Sequence, residues 1–502
     1  VGFDLVPRPR SLVEGPGEVA WRLARVVVEP AWRDVVDLFV TDHVGLWPGG
    51  VDVAAAGSGD LVVARADDLD PEEYRLAVGE VVTVAAGGPA GAAHALTVLG
   101  QLADGAARVD GGLALARVRI EDGPTWPWRG VHLDVARHFF PVADVLRLID
   151  LIAAHRLNHL HLHLNDDQGW RVEVPRWPRL TEVGAWRRST PVGPELDGVD
   201  DLITYGGFYT VADLAAIRDH AARRFVTVVP EIDLPGHAQA VLAAYPELGS
   251  GEGAEVWTRW GISSRVLDVS DAALSFAEEV TTYVASLFPG SPVHVGGDEC
   301  PTTQWSASAR ALALMAEHGF TEPRQLQGLF STRVAAALRA RGHEVLAWDE
   351  VLDAEVPPDA VVVAWRAVAQ GAEAARRGFD VVMAPMQFLY FDWLNSAEPG
   401  EPVAQSSAPL ATTWEKVYGY RVLPDDLEPE HRHHVRGAQA QLWTEYIATR
   451  DHLDYMAFPR LCAFSEVAWG TATTPEEFRP RLAAHLERLG AAGVKYRPLD
   501  AL

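Results

Sequence analysis

From residue 130 onward, eight short apolar runs alternate with amphipathic helical stretches, and that alternation leaves the chain few folds to choose from. The runs are GVHLDV (130–135), NHLHLHLND (158–166), FVTVVPEID (225–233), PVHVGGDE (292–299), EVLAWDE (344–350), AVVVAWR (360–366), DVVMAP (380–385) and AQAQLWTE (438–445). Helical stretches such as PVADVLRLIDLIAAHR and ADLAAIRDHAARR follow most of them. Apolar runs of this length between helices are parallel strands covered on both faces. Eight repeats predict a (β/α)8 barrel. A doubly wound open sheet is the structural rival, but eight repeats suit the barrel better.

Residues 1–120 read differently. RVVVEP, DLVVARAD and EEYRLAVGEVVTVAA are expected strands, the last containing a hairpin at Gly-Glu, and GPAGAAHALTVLGQLADGA is an expected helix ending near Gly105. We therefore expect a small α+β domain over 1–120, structural in role, and a catalytic barrel over 121–502. The full length of 502 residues suits that division.

In a barrel of this kind the chemistry lies at the C-terminal strand ends. Those ends read Asp134 and Arg137; Asp166 and Asp167; Glu231, Asp233 and His237; Asp298 and Glu299; Trp348, Asp349 and Glu350; Trp365 and Arg366; Tyr390 and Asp392; Trp443 and Glu445. Singly each is an ordinary loop residue. Together they are hard to explain as loop chemistry. No glycine-rich phosphate loop and no lysine accompanies them, which disfavours phosphate ligands. Carboxylates and Arg hydrogen-bond hydroxyls, and Trp faces stack on sugar rings. A carboxylic acid beside a sugar points to glycoside hydrolysis, in which it protonates the leaving oxygen.

Charge and composition narrow the partners. A net charge of −26 argues against nucleic acid and anionic membranes. No apolar run reaches the roughly 18 residues of a membrane span. The first residues show no signal peptide, although the chain does not begin with Met and a leader removed before residue 1 is left open. The two cysteines, Cys300 and Cys462, suit a reducing compartment, and the expected location is the cytoplasm. The sequence does not give an oligomeric state.

Two other functions compete. His159, His161 and His163 share one face of strand two and invite a metallohydrolase reading, but the later strand ends lack the further histidines such a site needs. Their bland role is to satisfy core hydrogen bonds. A sugar-binding module without catalysis needs the Trp and Arg but not the Asp298-Glu299 pair.

The stretches LDVARHFF, HLHLNDDQGWR, VVPEIDLPGH, HVGGDE and LWTE, in that order at strand ends, resemble the glycoside hydrolase family 20 β-N-acetylhexosaminidases, and the likeness runs from PRPRSL to YMAFPRL. The resemblance implies exo-acting, retaining release of terminal β-linked N-acetylglucosamine or N-acetylgalactosamine, with no metal or organic cofactor. It implies substrate assistance, an exception to the two-carboxylate scheme. The 2-acetamido carbonyl attacks the anomeric carbon and an oxazolinium-type intermediate forms. Glu299 is then the acid and later the base. Asp298 steadies the acetamido nitrogen, and Tyr390 donates to the acetamido oxygen. Asp166 and His237 form a pair behind Glu299. Arg137, Asp392 and Glu445 hold ring hydroxyls, Trp443 lies under the ring, and Trp348 and Trp365 enclose the acetamido methyl. Release of a disaccharide, as by lacto-N-biosidases, is the nearest alternative on this fold. An ionised Asp298 is expected to raise the pKa of Glu299, and the two glycines are expected to allow a bulge that turns both carboxyls to the pocket.

Overall fold

The computed structural model describes residues 3–499 except 48, 111, 194–198, 354–358 and 406–409. Eight parallel strands close into a barrel: β1 (Trp128–Asp134), β2 (His159–His163), β3 (Thr227–Glu231), β4 (Val293–His294), β5 (Val345–Trp348), β6 (Val361–Ala364), β7 (Val381–Met383) and β8 (Val435–Leu442). Each pairs with the next, and β8 returns to β1 through Gly437↔Trp128 to Leu442↔Leu133. Strands β1, β5, β6 and β7 are buried at every position, as continuous apolar runs require. Several of the helices between them start at side-chain caps. Thr210 and Asp213 form a capping box at Val211–Arg223, and the Ser270 hydroxyl caps Asp271–Ser286. Among the described residues no helix is long and apolar enough to cross a membrane.

The N-terminal sheet has eight strands packed with helices Arg33–Asp42 and Pro89–Asp104. The expected hairpin is Tyr74–Val78 with Val82–Ala86, its link being one residue longer than Gly-Glu because Val81 lies outside both strands. Two long strands, Ser11–Trp21 and Gly112–Asp122, pair antiparallel with a register shift between Glu14 and Glu18, and were not among the expected elements.

A buried polar bolt joins this sheet to the barrel. Asp122 Oδ1 accepts from the Arg10 N–H (2.9 Å) and from Trp469 Nε1 (2.9 Å). Its Oδ2 accepts from the Tyr74 hydroxyl (2.8 Å) and from Arg156 (2.6 Å). Trp469 ends the wholly buried helix Arg460–Trp469 and packs in the N-terminal core. The guanidinium groups of Arg156 and Arg129 lie 4.7 and 5.1 Å from its ring centre.

Candidate active site

Beyond β4 the backbone makes an abrupt turn. Gly296 and Gly297 have φ of +63° and +97°, and Glu299 has φ of +48°. A Cβ at Gly296 would lie 1.9 Å from Asp233 Oδ1, so only glycine fits. The Gly297 N–H donates to that same oxygen (2.7 Å). The two carboxyls are thus delivered by a left-handed turn clamped to Asp233, and not by the expected bulge. Holding a non-glycine residue such as Glu299 in this region costs about 1–2 kcal/mol and marks a constrained position.

Asp298 and Glu299 open on a cavity of about 300 Å³, which Arg137, Trp365, Tyr390, Asp392, Trp443 and Glu445 also line. Eight of the eleven expected site residues therefore meet at one mouth, from strand ends of β1, β4, β6, β7 and β8. Asp166 and His237 stand directly behind. His237 Nδ1 lies 3.1 Å from Asp166 Oδ1, and its Nε2 lies 3.8 Å from Glu299 Oε2 and 3.9 Å from Asp298 Oδ2. Tyr390 stacks on Trp365 with centroids 6.1 Å apart.

Trp348 differs from expectation. It is fully buried, does not line the cavity, and donates its Nε1–H to Glu231 Oε1 (2.7 Å). Its ring centre lies 6.0 Å from that of Trp443, inside the barrel. The reason is depth: Trp348 closes strand β5 itself, whereas Trp365 and Trp443 each follow the last residue of their strand.

Arg137 is held from three sides. It donates to Asp134 Oδ2 (3.2 Å) and Gln168 Oε1 (2.9 Å), and pairs with Asp166 Oδ2 (2.9 Å). Burial works against its charge, but Asp166, Glu445 and Asp134 overcome this and raise its pKa well above the usual value. Its guanidinium lies 5.1 Å from the Trp443 ring centre.

The carboxyls do not share one environment. Only 11% of the Asp298 side chain is exposed against 38% of Glu299, so Glu299 is the one that can reach a bound molecule and then solvent. Burial, then the charge of Asp233, pushes Asp298 well up, against the pull of His237. Burial likewise brings Asp233 up to about 7. Asp392 is pushed well up by burial and by Glu445, and Glu445 is raised by burial despite Arg137. Among the described residues, Asp298 Oδ1, Asp392 Oδ1 and Glu445 Oε2 are buried oxygens without a hydrogen-bond partner. Three unfilled acceptors around one cavity suit a ligand rich in O–H and N–H groups.

Donor atoms of Asp166, Asp167 and His237, and of His161, Glu231 and His294, lie within 4.8 Å of one another, close enough to hold a cation. They are already engaged. Asp167 accepts from the N–H groups of Gln239 (3.0 Å) and Ser263 (2.9 Å), and the Arg137 cation occupies Asp166. Gln439 donates to His161 Nδ1 (3.0 Å) and Trp348 to Glu231. The strand-two histidines thus do satisfy core hydrogen bonds, with His159 stacked on Trp128 at 3.8 Å.

Some residues of evident importance carried no expected role. Asp233 braces the Gly296–Gly297 turn. Asp349 accepts from the Trp365 N–H (2.8 Å) and pairs with Arg366, and Glu350 accepts from Trp365 Nε1 (2.9 Å), so the pair after β5 holds the wall on β6. The period-two spacing of Glu231 and Asp233 was the available signal for the first. Nothing in the sequence marks the second, because those bonds cross between strands. Cys300 and Cys462 are both free thiols, and burial pushes both up.

Larger cavities lie elsewhere, among them two at the N-terminal domain. One of about 410 Å³ in the N-terminal domain has no acidic residue in its lining. The other, of about 400 Å³, lies between that domain and the barrel, and its Asp42 and Asp150 are already paired with Arg224.

The site can be set beside known proteins. Residues 126–472 match the family model for the glycosyl hydrolase family 20 catalytic domain, and residues 3–123 match that for domain 2 of the same family. A β-N-acetylhexosaminidase of Cellulomonas fimi is 35% identical over 504 residues, covering 96% of this chain and 93% of the relative. A β-hexosaminidase of Porphyromonas gingivalis is 39% identical over 386 residues, 76% of this chain; the match spans 48%, about half, of that relative's length. The crystal structure of an exo-β-N-acetylglucosaminidase from Vibrio harveyi in complex with N-acetylglucosamine superposes with a TM-score of 0.88 at 32% identity, covering 99% of this chain and 78% of that one.

Proposed function

The chain belongs to glycosyl hydrolase family 20, and from that membership we propose that it is an exo-acting β-N-acetylhexosaminidase releasing terminal β-linked N-acetylglucosamine or N-acetylgalactosamine from oligosaccharides or glycoconjugates. The observation that carries this reading is the line Asp166–His237–Glu299, which ends in a half-exposed carboxyl beside the buried Asp298. An acid that must give a proton and then take one from water needs both a reservoir behind it and access in front.

In this reading the acetamido group of the substrate supplies the nucleophile. Its carbonyl oxygen bonds to the anomeric carbon as the glycosidic bond breaks, and Glu299 transfers its proton to the leaving oxygen. The oxazolinium so formed carries positive charge on nitrogen. Asp298, poorly solvated and with an unfilled oxygen, gains most from an N–H that becomes cationic. Its elevated pKa is that of the site without a ligand, and positive charge growing on the nitrogen pulls it down and favours the ionised form. Tyr390 donates to the acetamido oxygen, and Trp365 packs beside the methyl group. Water enters at the anomeric carbon, Glu299 takes its proton, and the sugar leaves with retained configuration. Trp443 supports the ring, while Arg137, Asp392 and Glu445 hold its hydroxyls. Residues 1–120 act as a scaffold, through the Asp122 bolt. Glu299→Gln should abolish turnover of an aryl β-N-acetylglucosaminide with unfolding unchanged; wild-type rates in that variant would end the proposal.

A further inference from the structure

The layer beneath the pocket is polar where barrels of this kind are packed with branched apolar side chains. Glu231 lies at its centre, fully buried, with both oxygens occupied. Oε2 is 2.5 Å from His163 Nδ1 and 3.1 Å from His161 Nε2. Oε1 is 2.7 Å from Trp348 Nε1 and 3.0 Å from His294 Nδ1. On its other side the His163 ring reaches Asp166, with Nε2 2.9 Å from Oδ2. Five groups therefore run in one line from the barrel axis to the mouth: Glu231, His163, Asp166, His237 and Glu299.

The hydrogen-bond logic of this line is one-directional. Ionised carboxylates only accept, so a ring between two of them must carry a proton on each nitrogen. His163 is then an imidazolium. His161 is not: Gln439 donates to its Nδ1, leaving its single N–H on Nε2, and burial brings it down to about 4. His132, whose ring centre lies 5.8 Å from that of His163, is held neutral by burial. Asp233 and Trp443 complete the surroundings of His163. Burial alone would strip the His163 proton, but Glu231 and Asp166 raise its pKa well above the usual value. With His163 and Arg137 both on Oδ2, Asp166 keeps Oδ1 for the Nδ1–H of His237. That bond fixes which nitrogen of His237 faces Glu299.

We propose that Glu231 and His163 are positioning residues for proton transfer, a buried carboxylate–imidazolium pair that works beside Arg137 on Asp166 and, through His237, governs when Glu299 gives up its proton. The inference rests on Glu299 being the acid. Removing Glu231 takes from His163 its strongest counter-charge and leaves Asp166 alone to hold the proton in a buried site, and a buried charge so weakly compensated neutralises sooner than it persists. Glu231 acts only through His163, so both substitutions cost Asp166 the same thing: its imidazolium.

The test is the pH profile of kcat/KM on an aryl β-N-acetylglucosaminide for His163→Gln, Glu231→Gln and the double variant. Losing a cation behind the acid lets Glu299 hold its proton to higher pH. The alkaline limb should rise by about half to one pH unit in each single variant, and no further in the double. A merely structural role would lower rate and stability and leave the limb in place, which would overturn the proposal, as would additive shifts in the double variant. Neutron diffraction from wild-type crystals tests the same idea without any variant: deuterons on both nitrogens of His163 are expected, and a bare nitrogen would overturn it. Unmoved limbs alongside an inactive Glu299→Gln would sink the pair and leave the acid assigned. An active Glu299→Gln would sink both.

Discussion

Asp122 and Asp298 are both buried aspartates, and the molecule treats them in opposite ways. Each Asp122 oxygen has two donors, one a guanidinium inside the bolt between the domains. Asp298 has a buried oxygen with no donor among the described residues and two further carboxyls beside it, Asp233 and Glu299. The first arrangement is complete as it stands. The second is complete only when something brings an N–H or a positive charge. Unsatisfied buried polar groups are scarce in folded proteins, and a cluster of them around one cavity is a signature of binding more than of folding.

Substitution should separate the two sharply. Asp122→Asn leaves the Arg156 charge buried without its counter-ion and should cost about 3–5 kcal/mol, read as a shift of the urea unfolding midpoint. Activity per folded molecule should hardly change. Asp298→Asn should do the reverse. It replaces a carboxyl whose charge burial and Asp233 already disfavour, so unfolding should be unchanged or slightly later, while kcat falls about 100- to 1,000-fold, the loss typical of removing one preorganised electrostatic contact. If Asp298→Asn unfolded the protein and Asp122→Asn only slowed it, the contrast would have been drawn backwards.

A smaller effect sharpens the same contrast through pH. The folded-state pKa of Asp233 is raised from the ordinary carboxyl range to about 7 by burial, with Glu231 adding to it. Between those values the folded chain holds a proton that the unfolded chain has released, so this group's stabilising contribution is full at low pH and is lost as pH rises towards about 7. Asp166, whose pKa is lowered well below the usual value because Arg137 and His237 outweigh its burial, has the opposite sign: its contribution is present above the ordinary carboxyl range and lost as pH falls through its folded pKa. Urea unfolding of Asp233→Asn at pH 5 and pH 8 should show a flatter dependence than wild type. An unchanged slope would mean that Asp233 does not carry the proton.

Much of this was legible in the sequence, for physical reasons that also explain what was not. Parallel strands buried on both faces are continuous apolar runs, so β1 to β8 announce themselves, and the barrel then dictates which end of each carries the chemistry. The family likeness assigned the rest of the pocket. Strand Ser11–Trp21 hid because SLVEGPGEVAW is interrupted at Gly15-Pro16-Gly17 and shifts register there, which breaks the alternation that marks a half-buried strand. The Asp122 bolt and the Glu231–His163 pair hid because their partners lie far apart in the chain: Arg156 is 34 residues from Asp122, and Glu231 is 68 from His163. The position of Trp348 one layer below the cavity lining could not be read from the sequence for a subtler reason. Sequence gives the face of a strand residue but not its height along the barrel axis, and one step of height separates a cavity wall from the layer below it.

That step of height can be measured, and it is the finest test of where the pocket ends and the self-satisfied interior begins. Trp348→Phe keeps an aromatic ring in the layer but removes one donor from Glu231 and leaves a small void. Losing that hydrogen bond at a buried carboxylate should cost about 1–3 kcal/mol in unfolding. KM for an aryl β-N-acetylglucosaminide should stay within about twofold, because the ring does not face the cavity and its loss removes no uniform binding. Trp443→Phe, at the cavity itself, should instead raise KM with little change in unfolding. A Trp348→Phe variant as stable as wild type but with a raised KM would put Trp348 in the wall after all, and would move the boundary between the two kinds of buried site one layer down the barrel.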